Sequence, residues 1–279
     1  MFKVFFLSIV ILYSINIFIY YLDNQLYNCE STNAPGEIWC NTYQDNRYNH
    51  GLPCPKHYYH NSVFFEYPDS DCLILYFHGR GRTLGYNYYF LGPLFQSSKC
   101  SIIAFEYPMC QYDPSSTNAG PDIILKRAIN LIESIPHINR NYMICSSMGC
   151  SVLLKALEET HIRHYALLDG LVLENPPTSL SKVASFHTNY WIPSFLIQTL
   201  MGSRNDWKVS NVFEHTIYRC KILILTSEKD EIVPSTMGYD LATRFGTTNN
   251  VTHVILEGAN HGDAPSHPKY QESISLFLK

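Results

Sequence analysis

Asn141-Tyr-Met-Ile-Cys-Ser-Ser147-Met-Gly149-Cys-Ser-Val152 is the stretch that decides the fold. It reads as a short apolar strand, a sharp turn carrying a serine, and a helix that begins at Met148. A strained strand-to-helix turn of this kind lifts a serine Oγ out at the top of a sheet as a nucleophile. The turn needs a residue without a side chain two positions after the serine, because the helix packs back against the strand there. Gly149 meets that need. In the usual G-x-S-x-G pattern the first glycine would stand at Cys145, and Cys is the small residue this chain offers instead.

Working outward, the segment Cys220-Lys-Ile-Leu-Ile-Leu-Thr-Ser-Glu-Lys-Asp230-Glu-Ile-Val-Pro234 opens with an apolar run from Ile222 to Leu225. Such a run suits a parallel strand buried on both faces. Asp230 follows in the loop past its carboxyl end, where groups that meet a ligand gather in a doubly wound sheet. The next unit, Val251-Thr-His-Val-Ile-Leu-Glu-Gly-Ala-Asn-His261, repeats the arrangement and offers His261 as a base. The chain holds 12 His, so His261 stands out by its position after a strand and not by its residue type. Ser147, Asp230 and His261 therefore follow in the order nucleophile, acid, base. Glu228 and Glu231 are alternative acids, His253 reads as a structural strand residue, and Asp263 reads as the cap of the last helix. A thiol nucleophile at Cys145 or Cys150 is disfavoured by register, as is Ser146, one step off the tip of the turn.

Upstream, Asp71-Cys-Leu-Ile-Leu-Tyr-Phe-His78-Gly79-Arg80-Gly81 is another buried-strand pattern, ending in a glycine-bracketed loop. A developing oxyanion would be met by the backbone N–H of Met148 and that of Arg80. Gly79 and Gly81 would let the backbone approach closely. Backbone donors of this kind contribute about 3 kcal/mol each.

Taken together, His78-Gly79-Arg80, Cys145-Ser-Ser147-Met-Gly149, Leu173-Glu174-Asn175-Pro176, Asp230-Glu-Ile-Val-Pro234 and Gly258-Ala-Asn-His261 resemble the α/β-hydrolase-domain family. The resemblance runs from about Val63 to the C-terminus. It is nearest to the single-pass, membrane-anchored branch described as serine-peptidase-like. Glu106-Tyr107-Pro108 is similar to the tyrosine turn after that family's fourth strand. Departures are Cys145 and Cys150, where glycines are usual, and Met109-Cys110-Gln111, where a Gly-Tyr-Gly turn is common. The resemblance implies an α/β-hydrolase fold: a mostly parallel, doubly wound sheet with flanking helices and a small helical cap. It also implies cleavage of an ester, thioester or amide by Ser147, His261 and Asp230, with no metal or organic cofactor.

Composition agrees. The 279 residues are 46% hydrophobic with a net charge of −4, and no basic patch points to nucleic acid. Val4 to Leu22 is an apolar run interrupted only by Ser8, Ser14 and Asn16, long enough to span a bilayer as a helix. It lacks a small-x-small cleavage site, so an uncleaved signal-anchor is favoured over a cleaved signal. Lys3 before the run places the short tail in the cytoplasm and the following domain in the lumen or outside. The expected organisation is an anchor over 1–22, a linker or irregular cap over 23–60, and the hydrolase domain over 61–279. An apolar interval at about 177–218, rich in aromatic residues such as Phe186, Tyr190, Trp191, Phe195 and Trp207, suggests a lid. An anchor and a hydrophobic lid suit a membrane lipid or an acylated substrate. The competing reading is an idle, membrane-tethered scaffold. Of the nine cysteines, Cys29, Cys40 and Cys54 lie in the linker, where a disulfide is plausible. Cys72, Cys100, Cys145 and Cys220 are expected as free, buried side chains. No C-x-x-C pair suggests zinc, and Asn250-Val-Thr252 is the glycosylation sequon.

Overall fold

The computed structural model describes residues 51–53, 56–57, 62–80, 84–107, 120–136, 138–160, 168–188, 193–201, 206–207 and 220–279. The expected anchor over residues 4–22, Cys29, Cys40, Cys54, Gly81, Tyr190 and Trp191 lie outside them. Among the described residues, no helix is long and apolar enough to cross a membrane.

The apolar runs read from the sequence become the strands of one sheet. These are β1 (Lys56–His57), β2 (Val63–Phe65), β3 (Cys72–Phe77), β4 (Ser101–Phe105), β5 (Arg140–Ser146), β6 (Gly170–Glu174), β7 (Lys221–Ser227) and β8 (Asn250–Leu256). Their spatial order is β1-β2-β4-β3-β5-β6-β7-β8. From β4 to β8 neighbouring strands are parallel, while β1 and β2 join antiparallel at one edge. Lys56–His57 thus departs from the expected linker over 23–60, because it finds a hydrogen-bonding edge along β2.

Successive strand residues face opposite sides, and this splits the core in two. Leu73, Leu75 and Phe77 enter one apolar cluster, whereas Cys72, Ile74 and Tyr76 enter the other. Helices α2 (Pro121–Ser134) and α3 (Met148–Glu159) cover the first face. Ile124, Ala128 and Leu131, three and four residues apart on α2, are buried there. The second face is covered by α1 (Tyr88–Ser98) and the C-terminal helix Pro268–Phe277 through Phe90, Leu91, Leu94, Tyr270 and Ile274. A sheet covered on both faces explains why its central strands are apolar throughout.

Between β6 and β7 lie α4 (Leu180–His187) and α5 (Ser194–Met201). Leu180, Ile197 and Trp207 turn into the first core cluster, while Phe195 and Leu196 stay 62% and 46% exposed. After β7 comes α6 (Ser235–Phe245), with Pro234 at its start, and α7 is Pro268–Phe277. The expected cap role of Asp263 is corrected. His267 Nδ1 accepts from Lys269 N at the start of α7. Asp263 instead accepts from the main chain and side chain of Asn260, closing the short 3₁₀ turn His261–Ser266.

The expectation of free thiols is also corrected at Cys72, Cys100 and Cys145. Parallel register sets Leu73 opposite Ser101. One step back, Cys72 and Cys100 stand with Cα atoms 4.7 Å apart and form a disulfide. Cys145 and Cys150, with Cα atoms 4.9 Å apart, form a second one across the elbow. Cys220 is the free cysteine among the described residues, and it is buried as expected.

Candidate active site

Strand β5 ends at Ser146 and α3 begins at Met148, leaving Ser147 alone in the turn. Its φ of 51° and ψ of −125° lie in a region L-residues rarely enter. Such strain persists only where the surroundings over-determine it. Ser147 N donates to Glu174 O at 2.8 Å, and Cys150 N donates back to Ser147 O at 2.9 Å. Gly149 supplies the remaining condition. A Cβ there would collide with Phe77 O and would come within 2.5 Å of His78 O. Only glycine lets α3 rest on the end of β3. The Cys145–Cys150 disulfide ties strand to helix over the same turn, at the two positions where a resemblance to known sequences leads one to expect glycine.

The carboxyl ends of β7 and β8 bring two further groups to Ser147. His261 Nε2 lies 3.0 Å from Ser147 Oγ. His261 Nδ1 donates to Asp230 Oδ2 at 2.7 Å. A proton on Nδ1 leaves Nε2 as the acceptor facing the serine. Asp230 is itself held, because its Oδ1 accepts from Ile232 N and Val233 N at 2.8 and 2.7 Å. Desolvation lowers the pKa of His261. The hydrogen bond and charge of Asp230, with the charges of Glu174 and Glu231, outweigh that and raise it overall. The other acids do different work. Glu231 Oε2 accepts from His261 N, and Glu228 Oε2 accepts from Gly258 N. Ser146 Oγ turns aside to Glu174 Oε1. His253 bonds Thr226 of β7 and meets Tyr239 of α6 edge-on.

A cleft of about 410 Å³ opens over Ser147. Gly79 and Arg80 line it, together with Glu174, His261, Tyr89 and Ile232. Gly79 lies so close to the elbow that a Cβ on it would stand 3.3 Å from Ser147 Cβ. Met148 is the first residue of α3, so its N–H has no acceptor within the helix. Gly81 lies outside the described residues. Among the described residues, none of α4 or α5 lines the cleft, and much of the expected lid over about 177–218 lies outside the described residues. Leu180 of α4 and Ile197 of α5 pack into the core cluster. No group of His, Cys, Asp and Glu able to hold a metal ion occurs among the described residues.

Two site residues gain roles that their local sequence does not show. Asn175, at a φ of 44°, bridges three elements. Its Oδ1 accepts from Ser227 N, and its Nδ2 donates to Ser227 Oγ and to His261 O. Glu174 is buried beneath the nucleophile, accepting from Tyr270 OH at 2.6 Å as well as from Ser146. Burial drives its pKa up, against the opposing pull of Tyr270, His261 and Ser146. An acidic residue ending a strand was the sequence signal for Glu174. Tyr270, nearly a hundred residues away, carried none.

No protein-family model matches this chain. It is similar to an uncharacterized protein of Acanthamoeba polyphaga mimivirus, 25% identical over 244 residues, covering 80% of this chain and 78% of the other. Among solved structures it is similar to an esterase of Pyrococcus furiosus, with a TM-score of 0.62 and 16% identity over 90% of this chain and 98% of that one. An esterase of Pyrobaculum calidifontis has a TM-score of 0.59 and 13% identity, over 87% and 90%. At these identities the likeness is one of fold, and the fold is that of the α/β-hydrolases.

Proposed function

We propose that this chain is a membrane-anchored serine hydrolase that cleaves ester bonds, with a lipid or acylated molecule as substrate. The observation that carries the reading is the hydrogen-bonded line from Ser147 Oγ through His261 to Asp230, mounted on a strained elbow at the floor of a cleft. In this reading Ser147 Oγ attacks the carbonyl carbon and passes its proton to His261 Nε2. Asp230 holds the Nδ1–H tautomer and stabilises the cation. The N–H groups of Arg80 and Met148 receive the negative oxygen, and the positive end of α3 adds to them. His261 then gives its proton to the leaving alcohol. Water, activated by the same histidine, releases the acid from Ser147. No metal or organic cofactor enters.

Tyr89 and Ile232, both exposed at the cleft, offer an apolar rim for an acyl chain. The similarity in fold to two esterases supports ester chemistry. Membrane attachment rests on the apolar run over 4–22. Two disulfides suit an oxidising compartment. They agree with the lumenal or external orientation drawn from Lys3.

The test is fluorophosphonate labelling and ester turnover by the full chain in detergent or vesicles, beside Ser147→Ala. Labelling and turnover lost together in the variant are expected. A folded wild-type chain that neither labels nor hydrolyses medium- and long-chain esters would refute the proposal.

A further inference from the structure

Two buried side chains outside the line Ser147–His261–Asp230 converge on the loop that carries Gly79 and Arg80. His78 and Glu106 are both fully buried, and His78 Nε2 meets Glu106 Oε1 at 3.0 Å. The other ring nitrogen, Nδ1, lies 2.8 Å from Gly79 O. A carbonyl can only accept, so Nδ1 donates there. The chain has no cis peptide among its described residues. In a trans peptide the C=O of one residue and the N–H of the next point in opposite directions. Holding Gly79 O down on His78, which lies outside the cleft lining, therefore turns Arg80 N–H up into the cleft that Gly79 and Arg80 line. The preceding carbonyl is held as well, because Tyr107 OH donates to His78 O at 2.8 Å.

Glu106 ties the loop at both ends. Besides His78 at the loop's start, its Oε2 accepts from Leu84 N at 3.0 Å, where the chain returns into the 3₁₀ turn Leu84–Asn87. Its Oε1 also accepts from Tyr107 N at 3.1 Å. A fully buried carboxylate is costly unless it is fully hydrogen-bonded. This one is hydrogen-bonded to His78, Leu84 and Tyr107, and none of its hydrogen bonds reaches Ser147 or His261.

We propose that Glu106, acting through His78, is a positioning residue that sets the direction of the Arg80 N–H toward the developing oxyanion. The inference rests on the serine-hydrolase reading above. Glu106→Gln replaces one acceptor oxygen with an NH₂ donor, so either Tyr107 N at the Oε1 position or Leu84 N at the Oε2 position loses its acceptor. A donor displaced by about an ångström costs on the order of 100-fold in rate.

The experiment measures kcat, KM and the inhibition constant of an alkyl trifluoromethyl ketone on the full chain. That ketone adds to a serine and places an oxyanion in the hole. An unreactive N-alkyl amide of the same chain length serves as a ground-state control. For Glu106→Gln we expect kcat to fall about 100-fold with KM unchanged. The ketone should weaken in proportion, and the amide should bind as to wild type. Glu106→Asp, which keeps both acceptor oxygens, should recover part of the loss. A purely structural role would reduce the folded fraction and leave ketone affinity on the folded protein untouched, and that result would overturn the proposal. If Glu106→Gln does not fold, Tyr107→Phe decides. Loss of the single hydroxyl on His78 O should lower kcat and weaken ketone binding together by about tenfold, and wild-type kcat and ketone affinity in a folded variant would refute the inference. A wild-type chain that neither hydrolyses esters nor binds the ketone sinks the hydrolase reading itself, and this proposal with it.

Discussion

Gly149→Ala probes the elbow most directly. The added Cβ would sit 2.5 Å from His78 O and closer still to Phe77 O. Real Cβ atoms essentially never come within 3.0 Å of another heavy atom, so at least about 0.5 Å must be found. Both obstacles are main-chain atoms at the end of β3, in the middle of an eight-stranded sheet. A flexible side chain could step aside, but these atoms cannot. The movement must therefore fall on the start of α3, carrying Met148 and Ser147 away from Arg80. Forced overpacking of this size costs about 1–3 kcal/mol. For a domain of this length each kcal/mol lowers Tm by about 2–4 °C. Displacing the nucleophile and one oxyanion donor should lower kcat about 100-fold. Hydrolysis of a p-nitrophenyl ester and a thermal melt on the same preparation would measure both effects. A Gly149→Ala chain with wild-type Tm and kcat would refute the close packing of α3 on β3, and with it the account of why Ser147 is held in its strained conformation.

Asp230→Asn should lower kcat about 10⁴-fold, since Asn cannot hold the Nδ1–H tautomer or stabilise the cation. His261 must be neutral to accept the serine proton, so activity is lost as pH falls through its pKa. Removing the hydrogen bond and charge of Asp230 leaves desolvation, which lowers that pKa, opposed only by the charges of Glu174 and Glu231. The acid limb of the kcat/KM profile should then move to lower pH, and a limb that stays in place would contradict the pairing. Peptide mapping without reduction should recover Cys72 linked to Cys100 and Cys145 linked to Cys150. Because Cys72 and Cys100 close a span of 28 residues, replacing both with Ala should cost about 3.5 kcal/mol of stability in urea unfolding, on the loop-entropy model.

What local sequence could determine, it determined well. The apolar runs at Leu73 to Phe77, Ile102 to Phe105 and Ile222 to Leu225 are legible as central strands because a parallel sheet buries both faces of each strand. The elbow is legible because Ser147 and Gly149 are two residues apart and their constraint is steric and local. Asp230 and His261 are legible as loop residues because each comes a few residues past the end of a strand. The sequence already favours Asp230 over Glu231, and the folded chain shows what each does. Both carboxylates reach His261, but one meets the ring and the other the main chain.

Contacts between distant segments were beyond the sequence, and tertiary structure alone decided them. Cys72 meets Cys100 because β3 and β4 lie side by side in parallel register. Glu106 meets His78, and Tyr270 meets Glu174, for the same kind of reason. Periodicity reports which face of a strand or helix is buried. The order of strands is set by crossover connections spanning tens of residues, and no window of sequence contains both partners. The chain therefore shows Ser147, Asp230 and His261 in order along the sequence, while the buried side chains packed around them meet only once the sheet has formed.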